Sequence, residues 1–302
     1  MNVAVLGTGI MGGAMARRAA ATEMRVVGWS RPLDDARRLA DDGVRVAETA
    51  AAAVSGADIV VTMAPDAAAI EGFAVGDDGF LAAAAAGAVW AQCATVGLDG
   101  CERLAALAGE AGIAFVDSPV LGTREPAERG ELVVLASGPE DALDRCAPLF
   151  DAIGGRTLRL GPAGAGTRLK LVTNDWIVGA VAVLAETMAL ADALGVDGAS
   201  FLDAIAGSAV DMAYAQVKGR MMTAGAYPPS MPLAHAAKDA RLAVEAAERH
   251  GLAHGVTRAA AELLERGAVR ADPAADMAAV FGVAAERGRR RAHPPAQPSG
   301  SS

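Results

Sequence analysis

MNVAVLGTGIMG, residues 1–12, is the stretch that decides the fold. A run of apolar strand formers leads directly into a glycine pattern, and a helical pattern follows it. In that context Gly7 permits a tight turn, Gly9 lets the backbone approach a pyrophosphate, and Gly12 lets the helix pack close to the sheet. The start of the helix would offer free N–H groups to the anion. The stretch predicts a dinucleotide site formed by Gly7, Thr8, Gly9, Ile10, Met11 and Gly12; the alternative is an ordinary turn that contains three glycines.

The first half of the chain alternates short apolar runs with helical patterns, including predicted helices at 32–42 and 98–111. Such alternation predicts an α/β domain with a doubly wound, mainly parallel Rossmann sheet. We assign Met63, Ala64 and Pro65, at the end of the third strand candidate, to the cofactor site. The seven strand candidates are NVAVLG, MRVVGW, ADIVVTMA, AVWAQC, IAFVDS, ELVVLAS and RTLRL.

After Gly161 no strand pattern follows, and a long interdomain helix is predicted from about 165 to 194. The pattern predicts an all-helical C-terminal domain, with further helices near 198–206, 212–223, 231–250 and 256–266. We therefore predict an NADP-binding domain over 1–162, a helical substrate and dimerisation domain over 163–287, and a disordered tail over 288–302.

The bulk composition, with 53% hydrophobic and 21% charged residues, indicates a folded globular protein. A net charge of −9 with both signs mixed along the chain gives no reason to expect nucleic acid as a partner, and we read RGRRR in the tail as part of a disordered segment. The apolar stretch 171–191 contains Asn174, Asp175 and Glu186, which are costly in lipid, so a buried helix is favoured over a membrane span.

Three scattered cysteines, Cys93, Cys101 and Cys146, lack the spacing of a zinc site or a disulfide framework. The start of the chain carries no secretory signal pattern. We therefore expect no metal ion and a reducing cytoplasmic location.

The second strand candidate ends in VVGWSRP, with Ser30 and Arg31 where an NAD-preferring site usually has Asp or Glu. A hydroxyl and a guanidinium can bind a 2′-phosphate, and an arginine can stack on adenine. The pattern favours NADP(H) over NAD(H); the alternative is that Arg31 is a solvated loop residue.

Only three of the 27 basic residues are lysines: Lys170, Lys218 and Lys238. An amine can transfer a proton near neutral pH and a guanidinium cannot, so each lysine is a candidate for that role. Lys170 and Asn174 lie four residues apart and share a helical face, which we expect to line the substrate cleft. The alternative is that the Lys170 ammonium only reaches solvent at a helix start.

Five segments, GTGIMGG, QCATVGLD, DSPVLGTREPAERGEL, KLVTND and KDARLAVEAAE, resemble in this order the β-hydroxyacid dehydrogenase family, over about residues 2–285. That family includes 3-hydroxyisobutyrate dehydrogenase and the glyoxylate/succinic semialdehyde reductases, and GTREPAERGEL is most similar to the latter branch. The resemblance implies reversible hydride transfer between nicotinamide and a small aldehyde, ketone or hydroxy acid. It also implies a homodimer or homotetramer.

By the same resemblance Lys170 is the general acid or base, and Asn174 holds the substrate. Thr95 would lie beside the nicotinamide and the substrate, and Lys238 would close the cofactor site. Asp239, next to Lys238, would orient the helix and not react. The substrate-binding set is Thr95, Leu121, Gly122, Thr123, Lys170 and Asn174.

Two residues depart from the family's pattern. Leu121 and Ala94 each stand where the family usually has serine. Neither side chain can donate the hydrogen bond of a hydroxyl, so both changes favour a less polar or larger substrate.

Three alternatives remain open at this point. An imine reductase has the same domain plan and reduces C=N bonds, but it usually lacks the lysine at the position of Lys170. A noncatalytic NADP-binding regulatory protein would have kept the fold without turnover. Oxidative decarboxylation, as in the 6-phosphogluconate dehydrogenases, would require a larger helical domain.

Overall fold

The structure, a computed structural model, describes residues 1–76 and 78–290. The chain forms two compact units. One contains Met1–Asn174 and Glu245–Gly251, and the other contains Asp175–Val244 and the described residues from Leu252 onward. The first unit therefore extends past the predicted boundary at residue 162. The predicted tail lies outside the described residues except for 288–290, which form the end of the last helix.

The first unit is built on a six-stranded sheet in the order β3-β2-β1-β4-β5-β6, in which all neighbouring strands are parallel. This confirms the predicted α/β fold. The strands are β1 Asn2–Leu6, β2 Arg25–Trp29, β3 Arg45–Val46, β4 Ile59–Thr62, β5 Val89–Gln92 and β6 Ala114–Asp117.

The sheet is buried on both faces, as expected for parallel strands covered by helices. Along β1, Val3 and Val5 belong to one apolar cluster, whereas Ala4 and Leu6 belong to another. Side chains of a strand alternate between faces, so the two clusters lie on opposite sides of the sheet. The helices of this unit are α1 Ile10–Ala20, α2 Asp34–Arg37, α3 Ala50–Val54, α4 Ala67–Ala74, α5 Phe80–Ala83, α6 Gly97–Glu110, α7 Arg124–Arg129 and α8 Glu140–Ile153.

The carboxyl ends of five strands lie in one row across the sheet. Leu6, the last residue of β1, pairs with Trp29 on one side and Thr62 on the other. Thr62 pairs with Gln92, and Gln92 pairs with Asp117. The segments that follow these residues therefore start at the same edge of the sheet, where open parallel sheets bind their ligands.

A second sheet of three strands follows, in the order β7 Val120–Leu121, β8 Leu132–Ala136 and β9 Gly154–Arg159. β7 and β8 are antiparallel, and β8 and β9 are parallel. The strand candidates ELVVLAS and RTLRL are thus real strands, but they form a sheet of their own.

The remaining helices are α9 Ala165–Ala193, α10 Gly198–Ile205, α11 Ala213–Ala224, α12 Leu233–Arg249, α13 Gly255–Arg270 and α14 Phe281–Arg290. Helix α9 starts in the first unit and continues into the second. Apolar side chains of α9, α12 and α13, among them Val181, Leu233 and Leu264, form the core of the second unit.

A buried ion pair lies within the second unit. Lys218 Nζ is 2.7 Å from Asp276 Oδ1, and the side chains are 1% and 0% exposed. Asp276 also accepts hydrogen bonds from the backbone N–H groups of Ser230, Met231 and Ala278. Burial by itself raises the pKa of Asp276, but the hydrogen bond and charge of Lys218 lower it overall. The Asp276 carboxylate therefore binds the segment at Ser230 to the segment at Ala278, and Lys218 neutralises its charge and donates to Ser230 Oγ.

Helix α9 is long and apolar enough to cross a membrane by length and composition, and 39% of its most apolar window is buried. The expectation of a buried helix is therefore correct for only part of its surface. Asn174, near its start, is 1% exposed. The solvent-exposed apolar side chains include Val172, Trp176, Val183 and Leu190.

Candidate active site

Gly7, in the loop after β1, and Gly12, in the first turn of α1, occupy positions that no other residue could fill. Gly7 has φ +97°, and a Cβ atom there would lie 2.1 Å from the carbonyl oxygen of Met63. A Cβ atom on Gly12 would lie 1.9 Å from the carbonyl oxygen of Gly7. These contacts agree with the expected roles of Gly7 in the turn and Gly12 in close packing.

Gly9 differs from these two glycines because a Cβ atom there would meet nothing within 4 Å. It immediately precedes helix α1, whose first-turn N–H groups have no intrahelical acceptor. Ile10 and Met11 form that first turn, and Ile10 is 36% exposed. Open space in front of a helix start fits a phosphate group of a dinucleotide.

The end of β2 carries the two residues predicted to select the cofactor. The backbone N–H of Thr8 donates to Ser30 Oγ at 3.3 Å, so the Ser30 hydroxyl proton remains available to another acceptor. The Arg31 guanidinium lies 5.7 Å from the centroid of the Trp29 ring, a cation–π contact. The nearby carboxylates of Asp34 and Asp35 form ion pairs with Arg37, at the end of α2, and with Arg38, the residue that follows it.

A cavity of about 370 Å³ opens beside Ser30 and Arg31. Trp29 and Phe73 contribute aromatic surface to it, and their rings meet edge to face at a centroid distance of 5.3 Å. Thr49, at the start of α3, also lines it. An open cavity with aromatic and polar walls fits the adenosine end of a dinucleotide.

Met63, Ala64 and Pro65 follow β4 at the same edge. The N–H of Met63 donates to the carbonyl of Leu6 at 2.9 Å, which fixes the segment against the glycine loop. Met63 and Ala64 are half-buried and Pro65 is exposed. Their position next to Gly7 is compatible with the predicted contact to the cofactor.

The ends of β5 and β6 are joined through Gln92, which is fully buried. Its side-chain amide binds both backbone groups of Ala94, accepting at 2.6 Å and donating at 2.9 Å, and so shapes the loop that carries Thr95. The carbonyl of Gln92 accepts from the N–H of Ser118 at 2.8 Å. Thr95 is half-buried in the loop that starts here.

Lys170 lies at the start of helix α9, with its side chain directed to the segment after β6. Its Nζ donates to the carbonyl oxygen of Val120 at 2.9 Å. Asn174, one turn further along, is 1% exposed. Lys170 is therefore bound to the residue immediately before Leu121, Gly122 and Thr123. A shared substrate site of these residues stays a prediction.

The three loop residues differ in their surroundings. Leu121 is half-buried and pairs with Val133 in the second sheet. Gly122 has φ +119°, and a Cβ atom there would lie 2.8 Å from Leu132 Cδ2, so only glycine fits. Thr123 precedes α7 and makes no side-chain capping bond to that helix.

Lys238, the remaining predicted site residue, belongs to the second unit. Its Nζ is 2.8 Å from Asp239 Oδ1, and the two side chains are 17% and 8% exposed. The two residues therefore form a partly buried ion pair. A role for Lys238 in closing the cofactor site stays a prediction.

Sequence reasoning missed a buried polar cluster at the start of α9. Asp117 Oδ2 accepts from the N–H of Thr167 at 2.7 Å, and Ser137 Oγ accepts from the N–H of Gly166 at 2.9 Å. Burial raises the pKa of Asp117, while hydrogen bonds from Thr167, Ser137 and Gly164 act to lower it. The signal in the sequence was the lack of any capping side chain before this helix, which predicts partners from elsewhere.

The cysteines are free and buried. Burial raises the pKa of Cys93, Cys101 and Cys146 to about 12 in each case, so the thiols stay protonated at neutral pH. Across residues 1–76 and 78–290, no group of three or more His, Cys, Asp and Glu side chains could hold a metal ion.

Two family models match the chain. Residues 2–161 match the NAD binding domain of 6-phosphogluconate dehydrogenase, and residues 164–284 match the NAD-binding domain of NADP-dependent 3-hydroxyisobutyrate dehydrogenase. Glyoxylate/succinic semialdehyde reductase 1 of Arabidopsis thaliana is 30% identical, over 88% of this chain and 92% of that protein. The NAD-dependent L-serine dehydrogenase of Pseudomonas aeruginosa is 34% identical, over 65% and 66%.

Solved structures show the same fold. The 3-hydroxyisobutyrate dehydrogenase of Mycobacterium tuberculosis, solved with L-serine, superposes with a TM-score of 0.83 at 26% identity, over 93% of this chain and 98% of that one. An imine reductase of Streptomyces aurantiacus superposes with a TM-score of 0.60 at 23% identity, over 94% and 99%. The second likeness concerns the fold alone.

Proposed function

The chain belongs to the β-hydroxyacid dehydrogenase family of NAD(P)-dependent oxidoreductases, and from that premise we propose that Lys170 transfers the proton in an NADP(H)-dependent reaction. The substrate is a small aldehyde or ketone in one direction and the corresponding alcohol, such as a hydroxy acid, in the other. Enzymes of this family act on hydroxyl and carbonyl groups, and the site described above has the parts that such chemistry needs.

The observation that carries the proposal is the position of Lys170. Its Nζ is held 2.9 Å from the carbonyl oxygen of Val120, three residues beyond the end of β6. The next strand in the sheet, β5, ends at the loop that carries Thr95. A proton donor therefore lies at the same sheet edge as the glycine loop, where the nicotinamide end of a bound cofactor is expected.

A nicotinamide cofactor held by the glycine loop and the β2 end would supply the hydride that the carbonyl carbon needs. As the C=O double bond becomes a single bond, the Lys170 ammonium donates its proton to the oxygen and its charge stabilises the developing alkoxide. In the reverse direction neutral Lys170 accepts the hydroxyl proton. Asn174 shares this helical face and orients the substrate through its amide, and Thr95 orients the reacting group from the β5 loop.

Two features of the β2 end support NADP(H) over NAD(H). The Thr8 N–H occupies a lone pair of Ser30 Oγ, which leaves the Ser30 proton to donate to a 2′-phosphate oxygen. Arg31 follows directly and supplies positive charge, and β2 itself runs into Ser30 and Arg31 where an NAD-preferring site usually has Asp or Glu. Two carboxylates, Glu48 and Asp78, line the same cavity from other segments.

Leu121 supports a substrate that is less polar or larger than a short hydroxy acid. It is half-buried in the loop next to Lys170, and a leucine offers no hydrogen bond to a carboxylate. The hydrogen bonding that the family usually obtains from a serine here is absent from this position. The backbone of Gly122 and Thr123 remains available.

A homodimer or larger homo-oligomer is supported by helix α9. Val172, Trp176, Val183 and Leu190 follow one another at intervals of four and seven residues, so they form one stripe along the helix. Their exposed fractions are 67%, 66%, 57% and 59%. An exposed apolar stripe of this length is typical of an interface between subunits.

Three free, buried thiols also suit the reducing, cytoplasmic location that we propose.

The proposal is tested by following NADPH oxidation with a panel of glyoxylate, succinic semialdehyde, larger aldehydes and ketones, and cyclic imines, with Lys170→Ala in parallel. We expect a carbonyl compound to be reduced and turnover to fall by a factor of about 10² or more in the variant, as for the loss of an acid–base residue. Imine reduction that survives the substitution would instead assign the protein to the imine reductases. Tight NADPH binding without turnover of any compound would support a regulatory role.

A further inference from the structure

Helix α9, which carries Lys170 and Asn174, begins without a cap of its own. Residues 161–165 are Gly, Pro, Ala, Gly and Ala, which have no side-chain oxygen. The first N–H groups of a helix need acceptors, and Ser, Thr, Asp or Asn usually supplies one at the position before the helix. The acceptors for α9 must therefore come from another part of the chain.

Asp117 and Ser137 supply them, and both side chains are fully buried. Asp117 Oδ2 accepts from the Thr167 N–H at 2.7 Å, and Asp117 Oδ1 accepts from the Thr167 hydroxyl, also at 2.7 Å. Ser137 Oγ accepts from the Gly166 N–H at 2.9 Å and donates to Asp117 Oδ2 at 3.1 Å. One carboxylate thus binds both the backbone and the side chain of Thr167.

The first turn of α9 is packed tightly against neighbouring backbone. A Cβ atom on Gly166 would lie 2.2 Å from the carbonyl oxygen of Leu135 and 2.9 Å from that of Asp117. The first turn is therefore pressed directly against the backbone of β8 and the end of β6. A change in the Asp117 contacts must be taken up by tilting or rotating the helix.

Lys170 is bound to the same short segment. It lies three residues after Thr167, and Val120, whose carbonyl accepts from Lys170 Nζ at 2.9 Å, lies three residues after Asp117. One turn of helix and one four-residue segment are therefore connected twice, at Thr167 and at Lys170. If the Asp117–Thr167 contact is lost, the helix turn can move, and the position of Lys170 Nζ relative to the Val120 carbonyl changes with it.

We propose that Asp117 is a positioning residue for the reaction: by binding Thr167 it fixes where Lys170 Nζ stands beside the loop of Leu121, Gly122 and Thr123. Asp117 is itself buried behind the helix start and does not touch the substrate in this account. The inference rests on the proposed function of Lys170. Misplacement of a reacting group by about 1 Å can cost about 100-fold in rate, so a small rotation of α9 is sufficient.

The hydrogen-bonding geometry, and not the charge, is the essential property in this account. Burial raises the pKa of Asp117, which means that keeping its carboxylate ionised costs stability at neutral pH. An asparagine could keep the contacts, because its oxygen can accept from the Thr167 N–H while its amide donates to the Thr167 hydroxyl. An alanine would lose all of them.

The test compares Asp117→Ala with Asp117→Asn, and Thr167→Val with Thr167→Ser, using a carbonyl substrate that the wild-type protein reduces. We expect Asp117→Ala and Thr167→Val to lower kcat by about tenfold or more, because Lys170 is displaced. KM and the Kd for NADPH, measured from cofactor fluorescence, should stay within about threefold. The variants Asp117→Asn and Thr167→Ser keep the hydrogen bonds and should retain most of kcat.

Asp276→Asn serves as the matched control for stability. It also changes a fully buried carboxylate, and it deprives the buried Lys218 of its charged partner, but it belongs to the other compact unit, as do the groups described above that its carboxylate binds. We expect a lower Tm with unchanged kcat. The proposal is wrong if Thr167→Val lowers Tm in the same way and keeps kcat, and this variant decides the question should Asp117→Ala fail to fold. If Lys170→Ala keeps kcat as well, the proposed function itself fails.

Discussion

Arg31 and Ser30 are adjacent residues with separate tasks at the end of β2. Ser30 is 6% exposed and is bound to the glycine loop, whereas the Arg31 guanidinium is exposed and rests 5.7 Å from the Trp29 ring centroid. We expect Arg31→Ala to weaken NADPH binding by about 10- to 100-fold, the effect of losing a charged hydrogen bond, with little change for NADH. Fluorescence titration with both cofactors measures this ratio.

Arg25→Ala is the control for this prediction, since Arg25 is an exposed arginine at the opposite end of the same strand. It should change neither affinity. Equal weakening of NADPH and NADH by Arg31→Ala would contradict a 2′-phosphate contact and would support stacking on adenine alone.

Leu121 is the residue at which the substrate class is decided. We expect Leu121→Ser to raise kcat/KM for small carboxylated aldehydes such as glyoxylate by about tenfold, because the new hydroxyl can donate to a carboxylate. Leu121→Ala is the matched control: it removes the same bulk without adding a donor. A similar gain in both variants would mean that space, and not hydrogen bonding, limits these substrates.

Individual site residues can be predicted from the sequence where their role depends only on neighbours in the chain. The motif and its place after a strand predict Gly7, Gly9 and Gly12 from their own backbone, and Gly7 and Gly12 do lie too close to neighbouring carbonyl oxygens for any Cβ atom. Asp117 and Ser137 act on Gly166 and Thr167, which are 29 to 50 residues away in sequence. A contact of that range depends on the tertiary fold, and a single sequence does not encode it in any short pattern.

At the scale of elements, the exposed apolar stripe of α9 indicates that the protein forms an oligomer. Trp176 contributes the largest side chain of that stripe and is 66% exposed. We expect the wild-type protein to be a dimer or larger in solution, and Trp176→Glu to shift it toward the monomer, because a charge in an apolar interface loses its hydration. Sedimentation velocity over a range of concentrations measures the change.

Val210→Glu is the control for this experiment. Val210 is 75% exposed and apolar, but it lies outside helix α9. It should leave the assembly unchanged. A wild-type protein that is monomeric at all concentrations would show that the stripe is not an interface between copies of this chain.

Long elements with a clear period were predicted well. Helix α9 was expected at about 165–194 and is found at Ala165–Ala193. The two-residue strands β3 and β7 were missed because they are too short to show alternation, and α14 was missed because six of its ten residues are charged or glycine. The helix expected at 32–42 is instead α2 followed by a 3-10 turn at Ala40–Asp42.

Lys218 is a scarce lysine with a structural role. The scarcity of lysine suggested that each lysine transfers protons, but Lys218 is fully buried against Asp276 and packs 5.0 Å from the Tyr214 ring centroid. A compact ammonium fits there and a guanidinium is larger. Rarity of a residue type indicated a special environment, not a specific chemistry.

For the molecule as a whole, the order of the strands in the sheet determines the order of the predicted site segments along its edge. The segments that follow β2, β1, β4, β5 and β6 lie along one edge of the sheet, in that spatial order. The predicted adenosine contacts, glycine loop, Met63–Pro65 segment, Thr95 and the Val120 carbonyl that holds Lys170 follow the same order. With neighbouring strands about 4.8 Å apart, β2 and β5 are separated by about 14 Å, which suits an extended dinucleotide.

The proton transfer by Lys170 is the central claim, and Lys170→Arg tests it most directly because arginine keeps the positive charge and cannot give up a proton near neutral pH. The measurement is the single-turnover rate of NADPH oxidation with a carbonyl substrate, together with the Kd for NADPH. We expect an unchanged Kd and a rate lower by about 100-fold or more. A Lys170→Arg variant that oxidises NADPH at the wild-type rate would contradict it.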